Sequence, residues 1–349
     1  MASAHRQHSG LDGASDANLL TDDAKRWIAE NLLLGATNDD IASRLVQLGC
    51  PLSLALSEIR HASESPYLKG AEVLRQRLAK RDWLLASYGR LATLDGGLDT
   101  VPLVHKLGAD AFFRDYYSAH RPIVIDGLID HWPALDLWSL DDFERRLSDA
   151  TIEVQTGRSS DPDYEARSDS HKESMTFGRF LEMLRDVEES NDFYVTANNG
   201  GRNRTALAPL WDDIGGIDGY LESKSEQDGF FWMGPKGTIT PFHHDLTNNL
   251  LIQIKGRKKV TLVPSWDTPL MRNSLHCYSG WTGPEALASL PDSTRPTIMQ
   301  CTIEPGQALF IPLGWWHHVT GLDMTVSMSF TNFRRTNDFA RDYTTYGQV

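Results

Sequence analysis

The spacing of apolar and polar positions divides the chain into two textures. Between residues 21 and 95 the apolar residues recur at helical intervals. Thr21, followed by Asp22 and Asp23, supplies an N-cap and acids suited to a helix N-terminus; Trp27, Ile28 and Leu32 follow on one face, and Gly35 ends the segment. Thr37 to Asp40 opens a second helix bearing Ile41, Leu45 and Leu48, stopped by Gly49 and Pro51. A third helix is expected from about Leu52 to Ala62. Ser65-Pro66 starts a longer one, with Leu74, Leu78, Leu85 and Tyr88 on one face. The pattern predicts a small all-α domain over 21–95 after a polar, flexible N-terminus over 1–20. The apolar face of the long helix predicts internal packing, with substrate recruitment or a homodimer contact as alternatives.

After Gly96-Gly97 the period shortens. Residues 121–127, 151–155 and 192–196 read as strands, and 140–148 and 175–187 as helices. Residues 157–175 are polar and turn-rich, which predicts a mobile or disordered loop. From Phe230 short apolar strands crowd together, at 230–234, 238–246, 249–255, 258–263, 299–304, 308–311 and 324–331. Lys255-Gly256-Arg257 reads as a hairpin turn and Glu304-Pro305-Gly306-Gln307 as a β-turn. Many short strands with tight turns predict a sandwich or barrel. The interval from Pro264 to Thr297 is too long for a simple connection and predicts an insertion over the site.

Composition changes the picture in three places. With 349 residues, 40% of them hydrophobic, the chain has material for a sizeable core. A net charge of −13 and a pI near 5.3 disfavour a general binder of nucleic-acid backbones. Cys50, Cys277 and Cys301 have no metal-type spacing and form no disulfide framework, which suits a reducing compartment. No signal-like core or membrane-length apolar run is present in the sequence, so a cytoplasmic location without a membrane partner is expected.

The candidate chemistry sits in Thr240-Pro241-Phe242-His243-His244-Asp245 and in the distant Gly314-Trp315-Trp316-His317-His318. Side chains alternate along a strand, so His243 and Asp245 share a face and His244 takes the other. An isolated His-x-Asp is weak evidence of a metal site. Joined to a second histidine cluster in a strand-rich region it is far more specific, because two imidazoles and a carboxylate with an open face suit non-haem Fe(II). Spacing leaves His317 and His318 as alternatives for the third donor.

These motifs resemble the cupin-type JmjC hydroxylases, the group that contains the asparaginyl hydroxylase inhibiting hypoxia-inducible factor. The resemblance runs from about Phe113 to Arg335. It implies a double-stranded β-helix (cupin or jelly roll, JmjC type), mainly β with α additions, over a catalytic domain at 100–340 with its motif-bearing core at 230–335. It also implies Fe(II), 2-oxoglutarate as co-substrate and O2. Carried over by position, the catalytic metal ligands are His243, Asp245 and His317, with His318 left to packing. Among Lys255, Arg257, Lys258 and Lys259, the resemblance selects Lys258 for the far carboxylate of 2-oxoglutarate. Strand alternation agrees in part, since Lys258 shares a face with Val260 and Leu262. The resemblance adds Thr240, Asn249, Tyr194 and Ser329 to the co-substrate site, while Thr331 stands where some relatives carry tryptophan.

The implied reaction is hydroxylation of an unactivated C–H in a protein or peptide side chain, with a small molecule as a further substrate class. Demethylation of an N-methyl group uses the same oxidant and is the runner-up, because no reader-type zinc cluster or basic histone-associated tract accompanies the motifs. A non-catalytic cupin binding module would have lost a ligand or the lysine. A cupin isomerase or sugar binder would not need Lys258. The loops at 157–175 and 264–297 are the expected specificity elements, with Trp266, Tyr278 and Trp281 either lining the pocket or anchoring the loop.

Overall fold

A computed structural model of the protein describes residues 20–94, 96, 100–197, 200–222 and 228–347, so the flexible N-terminus expected over 1–20 lies, but for its last residue, outside the described residues. The chain forms two compact units that divide between Tyr88 and Gly89. In the first, Thr21 caps α1 (Asp22–Leu33), its hydroxyl accepting the Ala24 N–H at 3.2 Å, and Thr37 caps α2 (Asn38–Gln47) through the Asp40 N–H at 3.1 Å. With α3 (Leu52–Glu64) they close a small core of Ile28, Ile41, Leu45, Ala55 and Ile59. The long helix α4 (Pro66–Leu94) crosses the division and has no buried residue; Leu74, Leu78 and Tyr88 are exposed. This corrects the expectation that its apolar face packs internally. The three shorter helices already satisfy one another.

The second unit runs through β1 (Leu103–His105), α5 (Ala109–Phe112), β2 (Ile123–Asp126), α6 (Ala134–Leu137), α7 (Leu140–Leu147), β3 (Thr151–Gln155), β4 (Lys172–Thr176), α8 (Phe177–Asp186) and α9 (Gly200–Ala206). It continues with β5 (Phe230–Gly234), β6 (Ile239–His244), β7 (Asn249–Lys255), β8 (Lys258–Val263), β9 (Asn273–Leu275), β10 (Tyr278–Ser279), α10 (Pro284–Ala288), β11 (Met299–Ile303), β12 (Gln307–Ile311), β13 (Trp316–Gly321) and β14 (Thr325–Phe330). One six-stranded sheet has the order β1-β2-β12-β7-β14-β5 and the other β11-β8-β13-β6-β10-β9. Every pairing is antiparallel except β1 with β2. From β5 to β8 successive strands alternate between the sheets, and so do β11 to β14. That winding is the double-stranded β-helix of a cupin jelly roll, as expected.

The Lys255-Gly256-Arg257 turn is therefore not a hairpin. It carries the chain from β7 in one sheet to β8 in the other. The corner is tight: Gly256 has a φ of +66°, and a Cβ there would meet the Met324 carbonyl oxygen at 2.1 Å. The Glu304 to Gln307 turn makes a second crossing, closed by the Gln307 N–H donating to the Glu304 oxygen at 3.0 Å. β13 was not read as a strand from the sequence, although it carries His317. The expected strand at 192–196 reduces to single bridges, Tyr194 to Gln155 and Val195 to Met233.

The first sheet is covered on both faces, which explains its nearly unbroken apolar runs. Leu250, Ile252, Ile254, Phe310 and Met328 point into a large core shared with Phe112, Phe143, Phe177 and Phe180 from the flanking helices. Their alternating neighbours Leu251, Leu309 and Ile311 meet Val260, Leu262 and Ile303 of the second sheet. Residues 157–175, expected to be mobile or disordered, are instead ordered as two 3-10 turns leading into β4, which pairs with β3. Buried Arg158 anchors them by donating to the Ile239 oxygen, as does the Tyr164 hydroxyl, and Asp161 pairs with Arg167 and His171.

Gly256→Ala should destabilise the cupin unit by about 2 kcal/mol or more, combining a left-handed backbone with a backbone clash. Chemical denaturation checks this, and an unshifted midpoint would show that the corner is softer than its geometry implies.

Candidate metal centre and co-substrate pocket

The pairing of β6 with β13 brings the two histidine motifs together: His317 lies opposite His243, and Trp316 opposite His244. The Gly314 N–H donates to the Asp245 oxygen at 3.1 Å, tying the turn before β13 to the end of β6. One donor atom from each of His243, Asp245 and His317 falls within 4.8 Å of the other two. The His243 and His317 rings are 4.1 Å apart between centroids.

Each histidine is oriented by its own backbone. His243 Nδ1 lies 2.9 Å from the Pro241 oxygen and His317 Nδ1 3.0 Å from the Trp315 oxygen. A carbonyl only accepts, so each Nδ1 carries the proton and each Nε2 presents a lone pair. Those Nε2 atoms stand 3.7 and 3.9 Å from the two oxygens of Asp245. Burial, reinforced by His317, pushes His243 down from its usual range and favours the neutral form that a metal takes. Burial would raise Asp245, yet the neighbouring His317 and His243 and a hydrogen bond from Asn249 outweigh it and hold the carboxyl low. That bond, Asn249 Nδ2 to Asp245 Oδ2 at 2.9 Å, fixes the carboxylate.

The neighbouring histidines do other things. The His244 ring stands edge-on to Trp316 at 4.7 Å, and His318 packs on Phe242 at 5.3 Å. Burial drives His318 down to about 4, so it behaves as a core residue.

The triad opens into a cavity of about 410 Å³ lined also by Lys258, Thr240, Asn249, Tyr194 and Ser329, so every site residue expected from the sequence lies in one place. Lys258 is the first residue of β8, directly after the crossing, and shares its face with Val260 and Leu262 of the inter-sheet core. It is 2% exposed, and its Nζ donates to the Tyr194 hydroxyl at 3.1 Å. Burial pulls it down to about 7. Tyr194 reaches this spot because Gly234 is bare: a Cβ there would lie 2.5 Å from the Tyr194 ring. Thr240 is three residues before His243 and should face away by strict alternation. The register shift between β6 and β13 turns it back toward the cavity. Ser329 accepts the Trp232 indole N–H at 2.9 Å.

Both expected specificity loops reach the cavity. The 264–297 insertion contributes His276, Cys277 and Tyr278, with Tyr278 paired to His243 in the β10–β6 ladder; the 157–175 segment contributes Glu165. Of the three aromatic candidates, Tyr278 lines the cavity. Trp266 packs on Trp315 at 5.6 Å, and Trp281 stacks under Arg272 while its N–H donates to the Leu270 oxygen. Sequence reading missed Trp232 and Glu165. Alternation from Phe230 along β5 could have found the tryptophan; an acid in an irregular loop carries no comparable signal.

Residues 109–339 match the family model described as a cupin-like domain. The chain is similar to the lysine-specific demethylase JMJ30 of Arabidopsis thaliana, with 31% identity over 245 residues covering 64% of this chain and 52% of the relative. It is also similar to the lysine-specific demethylase 8 of Xenopus tropicalis, 30% identical over 246 residues covering 67% of this chain and 53% of that protein. A third relative, the human bifunctional peptidase and (3S)-lysyl hydroxylase JMJD7, is 22% identical over 254 residues, covering 63% of this chain and 79% of its own. The chain thus spans about half the length of the first two. Cys50, Cys277 and Cys301 are free thiols, and among the described residues no helix is long and apolar enough to cross a membrane.

Removing a donor should abolish tight metal binding. In calorimetric titration with Mn(II), Asn249→Ala should weaken binding about 10- to 100-fold, the range for a group that orients a ligand, and His243→Ala more. Unchanged affinity in His243→Ala would place the metal elsewhere.

Proposed function

The chain belongs to the cupin-like domain family, and from that premise we propose that it is an Fe(II)- and 2-oxoglutarate-dependent oxygenase acting on a protein or peptide side chain. His243, Asp245 and His317 would hold the iron on one face, leaving the other open. The chemistry such a metal would supply is oxidation of a substrate C–H by O2, coupled to conversion of 2-oxoglutarate to succinate and CO2.

The protein supplies position. The observation that carries the reading is Lys258, a buried amine whose polar contact among the described residues is the Tyr194 phenol. Leaving an ammonium buried without an anion is costly, and the far carboxylate of 2-oxoglutarate is an anion of the right reach. Tyr194 steers Lys258 and offers its O–H to the same carboxylate. Thr240 and Ser329 supply further hydroxyls on the wall, and Asn249 holds Asp245 while facing the cavity. A non-catalytic cupin or a sugar-binding cupin would gain nothing from Lys258.

The oxidised atom separates two readings. Hydroxylation of a carbon in the side chain is supported by the lysyl hydroxylase among the relatives. Demethylation is the closer reading, because two relatives at 31% and 30% identity are called lysine-specific demethylases; the oxidised N-methyl carbon would then leave as formaldehyde. The likeness to the asparaginyl hydroxylase rests on motifs that both activities share, and does not choose between them.

Wild-type protein with Fe(II) and 2-oxoglutarate should form succinate, and His243→Ala should not; a wild-type protein that forms none refutes the oxygenase reading. On the product, mass spectrometry distinguishes gain of one oxygen from loss of a methylene. Lys258→Met should raise the KM for 2-oxoglutarate about 100-fold. The lowered Lys258 favours its neutral form above about pH 7, and a bound carboxylate restores the proton. Co-substrate affinity should therefore be flat below that pH and fall by up to about tenfold per unit above it. Lys258→Met should lose this dependence, which binding titrations across pH would reveal.

A further inference from the structure

Resting on the metal centre of the proposed function, we propose that His120 is a positioning residue for the metal. It locks the turn before β13, and through that turn it holds both Asp245 and His317 in place. His120 stands shortly before β2 and is not among the residues that line the cavity.

The turn runs Pro312-Leu313-Gly314-Trp315 and is closed by the Trp315 N–H donating to the Pro312 oxygen at 3.1 Å. Gly314, its third residue, has a φ of +71°, as a type II turn requires. Glycine accepts the opposite sign of φ about as readily, so the turn's own sequence leaves the direction of its middle peptide open. His120 removes that choice. Its Nε2 donates to the Leu313 oxygen at 2.6 Å, while the Gly314 N–H donates to the Asp245 oxygen at 3.1 Å. Those two groups belong to one planar peptide unit, so fixing the oxygen also aims the N–H at Asp245. The Leu313 N–H donates to the Asn248 side chain at 2.8 Å, one residue before the Asn249 that bonds the Asp245 carboxylate.

The other ring nitrogen reaches toward His317. His120 Nδ1 accepts the Trp315 indole N–H at 3.2 Å, and the Trp315 main-chain oxygen is the acceptor that orients His317. A carbonyl only accepts and an indole only donates, so one neutral tautomer satisfies both contacts, with the proton on Nε2. Burial lowers His120 and favours that neutral form. The backbone is unusual at the same residue: His120 has a φ of +56°, in the left-handed region that few residues other than glycine adopt. Such outliers cluster where the surrounding contacts hold a functional geometry.

The test titrates the full, metal-free chain with Co(II), reading affinity by calorimetry and ligand geometry by the visible absorption of the bound ion. Chemical denaturation without metal runs alongside. His120→Gly suits the left-handed backbone and deletes both side-chain bonds. Its denaturation midpoint should stay near that of the wild type, because relief of the backbone offsets the lost bonds. Its Co(II) binding should weaken about 10- to 100-fold, the range for groups that orient metal ligands, and the absorption band should change shape. His120→Gln, whose amide can replace Nε2 at the Leu313 oxygen, should recover most of the affinity. Wild-type affinity and absorption in His120→Gly overturn the proposal. So does a lowered midpoint with unchanged Co(II) binding, the mark of a merely structural role, and so does a glutamine variant that binds no better than the glycine one. Should His120→Gly fail to fold, His120→Asn takes its place under the same outcomes: asparagine tolerates the left-handed backbone but is too short to replace Nε2. A wild type that binds no Co(II) refutes the metal centre, and this role with it. A wild type that binds Co(II), with variants that match it, refutes only the role of His120.

Discussion

The register between β6 and β13 is the constraint on which the rest of the structure depends. Strand side chains have a period of two, so a slip of one residue would put Trp316 or His318 opposite His243 and disperse the triad. Two tryptophans resist that slip by being buried in different cores: Trp315 among Val260, Leu262 and Leu309, Trp316 beside Phe242 and Val263. Rotating one outward would expose both. Apolar packing, worth about 25 cal/mol per Å² buried, thereby sets the positions of three polar donors that contribute little to stability themselves.

The interior of the roll is apolar at one end and polar at the other. Val260, Leu262, Leu309 and Ile311 fill the space between the sheets, while Lys258 continues the same face into the cavity. Desolvating an ammonium beside a phenol costs stability that the fold does not recover alone. The crossing at Gly256 makes this arrangement available, because it delivers the chain into β8 with Lys258 already between the sheets. Under the proposed reading, this is preorganisation for a bound anion at the expense of a well-compensated core.

Two sets of residues surround the cavity, one on regular strands and one on irregular segments. In the proposed reaction the triad and Lys258 would serve either outcome, whether it leaves a hydroxyl or releases formaldehyde. The elements that differ are the irregular ones, the 157–175 segment with Glu165 and the insertion with His276, Cys277 and Tyr278. Both are fastened to β6, one through Arg158 and Tyr164 to Ile239, the other through the Tyr278–His243 pair. The strand that carries His243 therefore also anchors both irregular segments beside the cavity.

Local patterns settled much of this in advance. The capped helices of the first unit, most strands after Phe230 and the pairing of His243 with Asp245 follow from periods of 3.6 and 2, which are properties of neighbouring residues. His317 over His318, Lys258 over its basic neighbours, and the co-substrate wall came from family resemblance rather than from spacing. Tertiary structure alone decided the remainder. It made the Lys255 turn a crossing between sheets, rotated Thr240 into the cavity through a bulge, left α4 without a core to join, and ordered 157–175 around buried Arg158. Each depends on contacts between residues far apart in sequence, where no local period carries information. Glu165 shows the limit most clearly, since an acid in a polar loop comes to line the cavity through Tyr278 of β10 and through Arg158, which is itself tied to β6.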